Sequence, residues 1–173
     1  MSLKLEHPLK LNKPAGSYWL DRDTAKKTVS MLRPFLLQAM TVSEIGESGF
    51  LYIVIMDPAI TSSESTFEEA ILYEHSIGDP ARWDADYKLF AQAKAKISWV
   101  TGSDSHTVQE HKPYLLKRGD TILWGSAVID GIVVGVSGAN PWYDEAIAST
   151  IASWLKAAAH GRSRAKSKEL FLT

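Results

Sequence analysis

The sequence predicts a mixed α/β domain in which helices cover a set of strands. Three observations carry this. Residues 50–57, FLYIVIMD, form a short apolar run, partly β-branched and closed by Asp57 and Pro58, which marks a central strand covered on both faces. Residues 121–137, TILWGSAVI–DG–IVVGVS, read as a hairpin, because Asp130-Gly131 suits the positive-φ positions of a tight turn. Apolar residues spaced three or four apart predict helices over 21–40, 79–98 and after Gly138.

Taken in order, residues 1–20 read as an arm, since Pro8, Pro14 and Gly16 interrupt any period, while Leu3, Leu5, Leu9 and Leu11 can pack on the body or a neighbour. Helix 21–40 has Asp21 or Asp23 as cap and Ala25, Val29, Leu32, Leu36 and Met40 as its stripe; Pro34 must kink or split it. Segment 67–75, FEEAILYEH, fits a helix turn or a strand, with propensity favouring helix. Helix 79–98 takes Asp79 as cap and Pro80 at its first position; Trp83, Tyr87, Phe90 and Ile97 share a stripe with Lys94 among them. Residues 99–120 read as a loop with short pieces of structure. Gly125 and Gly135, inside strand-like sequence, predict bulges or close approach by another group. The last helix has Asn140 as cap, Pro141 at its first position, a stripe of Ile147, Ile151, Trp154, Leu155 and Ala158, and Gly161 as its end. The organisation is thus an arm over 1–20, a single domain over 21–161 and a tail over 162–173.

A length of 173 residues suits one domain that buries about 68–70% of its extended surface, with no need for a metal or disulfide staple. Nineteen Lys and Arg against twenty Asp and Glu leave a charge of -1, so no whole-surface positive field exists for nucleic acid. The absence of Cys excludes disulfides, thiolate metal sites, iron–sulfur clusters and cysteine nucleophiles. No apolar run is long enough to span a membrane, and the N-terminus lacks the apolar core of a signal peptide, so a cytoplasmic protein is expected. Neither a P-loop, nor a dinucleotide fingerprint, nor a G-x-S-x-G elbow is present.

Residues 128–152, VIDGIVVGVSGANPWYDEAIASTIA, resemble the signature end of the haem-binding and haem-degrading domain family. Asp130, Gly131, Val134, Gly135, Val136, Ser137, Gly138, Asp144, Glu145 and Ala148 match its dG-x-vvGaiGvSG and D-E-x-iA segments. Upstream, KLFAQAKAKISW resembles the family's Lys-Ala helix. The resemblance implies a profilin-like or PAS-like α/β sandwich, with an antiparallel sheet of about five strands flanked by helices. Under it, 67–75 becomes the strand paired with 50–57, with Ala70, Leu72 and Glu74 facing one way and Ile71, Tyr73 and His75 the other. The Asp57-Pro58-Ala59 turn departs from the family's glycine turn.

The candidate site residues fall in three groups. At the last helix's entrance, Gly135, Ser137 and Gly138 allow close approach of a bound group, and Asp144 and Glu145 can accept hydrogen bonds or move protons; a capped helix behind a tight hairpin explains the same residues. In SDSHTVQEH, His106 and His111 are candidates for an iron ligand or an acid–base group, His106 preferred because a polar GSDSH cluster can orient it; solvent-facing histidines are the plain alternative. Lys94, on an otherwise apolar stripe, can neutralise a ligand carboxylate such as a haem propionate, or simply snorkel. Tyr73, His75, Trp83 and Tyr87 are expected to line the same pocket or to serve as core.

The leading expectation is a haem- or tetrapyrrole-binding protein using haem as cofactor, with Lys94, His106, His111, Gly135, Ser137 and Gly138 at the cofactor. The alternatives are a cofactor-independent lyase or isomerase using His106, Asp144 and Glu145, and an oligomeric accessory or scaffold protein. A dedicated metal-ion site is not expected. The partners expected are a small-molecule ligand and a second copy of the chain, since the leucine-bearing arm, the Ala91–Ala95 stretch and the Leu170-Phe171-Leu172 end offer more apolar contact than one small domain needs.

Overall fold

The computed structural model describes residues 14–165 and 171–172; Leu3, Leu5, Leu9, Leu11, Lys166, Lys168 and Leu170 lie outside them. Helix α1, Arg22–Ala39, starts where the Asp21 carboxylate accepts from the Thr24 amide (2.9 Å) and hydroxyl (2.7 Å), and it buries Ala25, Val29, Leu32 and Leu36. Pro34 neither splits nor ends it. Ser30, whose carbonyl loses its helical donor there, is exposed, so water can serve in its place.

Strand β1, Leu51–Met56, is buried at every position. Segment 67–75 turns out to be both of its readings. Thr66 and Glu69 form a capping box around the single turn α2, Phe67–Ala70, and the chain then extends into β2, Ile71–Ile77. The β1–β2 register shifts between Ile55 and Met56, which pair with Tyr73 and Ile71. That irregularity passes over Leu72 and breaks the expected alternation: Leu72 and Tyr73 both join the α1 side, and Ile71 the opposite one.

The predicted helix 79–98 is corrected at its start. Asp79 does cap, by accepting from the Ala81 amide at 3.0 Å, but what it caps is a three-residue 3-10 turn, Pro80–Arg82. Helix α3, Tyr87–Thr101, begins behind Asp86, which accepts from Leu89, and ends at Gly102 in the left-handed region. The 99–120 stretch contains helix α4, Ser105–His111, and a second 3-10 turn, Pro113–Leu115. The hairpin follows as β3, Ser126–Ile129, and β4, Ile132–Ser137, turning on Asp130 and Gly131, both at positive φ. Its first strand starts five residues later than the sequence predicts. Helix α5, Pro141–Ala165, runs through Gly161 rather than ending there, and Arg162 ties its last turns to Asp21 (2.8 Å) and to the Trp19 carbonyl (2.9 Å). The base of the arm also docks, since the Ser17 amide donates to the buried Asp57 at 3.0 Å and Leu20 is buried.

All strand pairings are antiparallel, in the order β2-β1-β4-β3. The described residues thus hold four strands, not the five expected. One core lies between the sheet and α1 with α5, built on Val29, Leu36, Ile53, Ile55, Ile151 and Leu155. The other lies between the sheet and α3, built on Val54, Met56, Phe67, Tyr87, Ala91 and Ala95. Each fully buried aliphatic side chain contributes about 1.5–3 kcal/mol. Gly135 lets α3 settle onto β4, because a Cβ there would lie 2.5 Å from the Ala91 carbonyl oxygen and 2.7 Å from the Ala95 Cβ.

Candidate functional site

Helix α3, the end of β4 and the first turns of α5 converge on one buried ion pair. The Lys94 ammonium donates to Asp144 Oδ2 at 2.7 Å, to the Val136 carbonyl at 3.0 Å and to Ser137 Oγ at 3.4 Å, which uses all three of its protons. Asp144 Oδ1 accepts from the Ala139 amide at 2.9 Å, so the same carboxylate also closes the turn into α5. The two side chains are only 2% and 1% exposed, respectively. Burial pushes the Lys94 ammonium down while Asp144 pulls it back, and burial pushes the Asp144 carboxyl up to about 6 against the pull of Lys94. Gly125 makes room for the pair. It has φ +131, and a Cβ there would lie 2.9 Å from the Lys94 Nζ and 2.7 Å from the Asp144 Cβ.

One residue along α5, Glu145 reaches the surface beside α4. Its Oε2 lies 3.6 Å from His106 Nδ1, with side chains 25% and 35% exposed, respectively. That oxygen is itself buried and has no hydrogen-bond partner. Burial raises the Glu145 carboxyl above its ordinary range, Asp104 adds to the rise, and His106 opposes it. The His106 ring lies flat on Trp124, 3.8 Å between centroids and 10° between planes. Asp104 in turn accepts from the Val128 amide at 2.6 Å, which ties the start of α4 to β3.

No family model, curated protein or solved structure matches this chain. The fold brings His106, Glu145, Asp144 and Lys94 into one neighbourhood, in two layers: a buried pair below and a half-exposed imidazole–carboxylate pair above. His111, at the exposed end of α4, shares no described contact with them. Ser137 is buried against Lys94. Gly138, at φ +139, is pressed against the Phe50 carbonyl, and Gly135 is filled by α3, so the chain itself occupies the space beside both glycines.

The expected common pocket of Tyr73, His75, Trp83 and Tyr87 does not form. Trp83 and Tyr87 pack with Tyr52 on the α3 face, whereas Tyr73 stacks with His75 beside Arg22 and joins the α1 core, so the sheet divides them. Among the described residues no group of three or more His, Asp or Glu is placed to hold a metal ion, and no helix is long and apolar enough to cross a membrane. Trp124 is the site residue that sequence reasoning missed. Its only signal is an aromatic residue directly before Gly125, inside the stretch the sequence assigns to the hairpin but ahead of Ser126, where β3 starts.

Chemically, a carboxylate facing Nδ1 orients the ring and leaves Nε2 as the outward group. The Trp124 face holds the ring plane. Such a pair can donate a nitrogen to a metal centre or pass a proton between carboxyl and imidazole.

Proposed function

We propose that this chain is a small-ligand-binding domain of the haem-binding and haem-degrading type, with His106 and Glu145 as its point of ligand contact. One observation carries the reading. Lys94, one of the three lysines of KLFAQAKAKISW, and the first acid of the Asp144-Glu145 segment, the two stretches that carry the resemblance, meet in the Lys94–Asp144 pair, beside which Glu145 faces His106. The α/β/α layering supports the profilin-like or PAS-like reading of the fold, and the cysteine-free composition accords with a cytosolic place.

His106, backed by Glu145 and stacked on Trp124, would be the residue to hold a haem iron. His106 Nε2 would ligate the iron, with the Glu145 carboxylate 3.6 Å from Nδ1 to orient the ring. Haem, when bound, supplies the redox chemistry. Lys94 does not fit the role of propionate partner, because it is enclosed and its donors are taken. A second reading is favoured by the raised Glu145 carboxyl and its unpartnered Oε2: proton transfer without a cofactor, with Glu145 and His106 as the acid–base pair.

Optical titration with haemin tests the first reading. It predicts a saturable, stoichiometric Soret band that disappears in His106→Ala, weakens about 10- to 100-fold in Glu145→Gln and persists in His111→Ala. Equal binding by wild type and a folded His106→Ala variant overturns it. The second reading predicts instead that cofactor-free protein exchanges the α-proton of a small oxo acid in D₂O, and that Glu145→Gln abolishes this.

A further inference from the structure

Two cavities of about 270 and 130 Å³ adjoin along the outer side of α3, beneath the turn at 117–120. Lys96, Arg118 and Asp120 border both, so one cleft runs along the helix with these residues across its middle. Its larger end is walled by the Phe67 and Leu89 side chains, and its smaller end by Ile97, Val100 and Leu115. Gly119, which also borders the larger cavity, has φ +94, and a Cβ placed on it would meet nothing within 4 Å.

The charges here are unevenly committed. Asp120 is turned back into its own turn, where it accepts from the Lys117 amide at 2.7 Å. Neither Lys96 nor Arg118 has a carboxylate partner among the described residues, although the chain pairs Lys88, Lys94, Lys156 and Arg162 with acids elsewhere. Glu68 is the acid at the far rim. A guanidinium and an ammonium without partners, above apolar walls, match a ligand with a carboxylate at one end and an apolar body at the other.

We infer that this cleft binds a small organic carboxylate with an apolar or aromatic body, held by Arg118 and Lys96 and seated against Phe67 and Leu89. The cleft is independent of the His106–Glu145 site. Benzoate is the probe, followed by amide chemical shifts of the full chain, with benzamide as its uncharged counterpart. The expected result is saturable benzoate binding centred on α3 and 117–120. Binding weakens roughly tenfold in Arg118→Gln or Lys96→Gln, strengthens in Glu68→Gln and is unchanged in His106→Ala. Benzamide binds at least tenfold more weakly. Any of three results overturns the inference: benzamide binding as well as benzoate, benzoate binding untouched in the Lys96→Gln/Arg118→Gln double variant, or no saturable shift in the cleft.

Discussion

Lys94 and Asp144 have given up nearly all contact with water, and each is tolerable only because the other is there. Asp144→Asn leaves an uncompensated ammonium in the core and is expected to cost about 3–5 kcal/mol in urea denaturation, whereas Lys94→Met combined with Asp144→Leu recovers most of that loss. If the single and double variants prove equally unstable, the pair is not the source of the cost. The pair also sets a pH dependence. The native state holds the Asp144 proton more tightly than the unfolded chain does. The stability from this group is therefore fully present below 3.8 and is lost as pH rises through about 6. Stability measured against the double variant should fall across that window and level off above it. A difference that rises with pH would reverse the assignment. Gly138 tests the same corner through the backbone. At φ +139 and against the Phe50 carbonyl, Gly138→Val adds a β-branched side chain where neither conformation nor space admits one. It is expected to cost about 3 kcal/mol or more and to weaken ligand binding with it; an unchanged melting temperature would show that the turn relaxes freely.

At the scale of elements, α3, β4 and α5 form one unit because Lys94 bridges all three, and the surface pair rides on it. How much of this is legible in the sequence depends on the range of each cause. The hairpin is legible because Asp130-Gly131 acts locally, and the start of α5 because Pro141 does. The start of α3 is not. Asp79-Pro80 is a sound capping signal that a three-residue turn consumes, and Asp86 then caps the helix proper. Helix α4 hides because only seven residues separate its cap from its end. Residues 67–75 resist assignment because a capped turn and a strand share them. Lys94 stands out as a charge on an apolar stripe, but its partner lies 50 residues away and no local pattern names it. The Trp124–His106 stack is equally non-local, which is why an aromatic residue before Gly125 does not by itself point to His106.

The molecule as a whole buries both faces of its sheet yet leaves large apolar groups outside. Met31 and Phe35 on α1 are each 52% exposed, and Trp154 on α5 is 49% exposed. A groove of about 630 Å³ between the two helices is bordered by Met31 and Ala158 together with the polar Asp21, Asp23, Lys27 and Arg162. In the Ala91–Ala95 stretch expected to meet a second copy, Ala91 and Ala95 are instead buried against β4, and it is this outer helical face that is expected to do so, giving a dimer as the smallest species at micromolar concentration. Light scattering over a wide concentration range checks it: Phe35→Glu and Trp154→Glu should each shift the mass toward the monomer, and a monomeric wild type would contradict it. The His106–Glu145 pair lies apart from this face, beside α4 and the start of β3. That separation allows ligand contact to be read independently of assembly. The most direct measurement is an NMR titration with zinc protoporphyrin, a diamagnetic stand-in for haem, following histidine ring and tryptophan indole resonances. A porphyrin held at His106 should give large ring-current shifts at His106 and Trp124, saturating at one equivalent, and none at His111. Shifts centred on His111, or a His106 ring left unmoved while the porphyrin binds elsewhere, would contradict it.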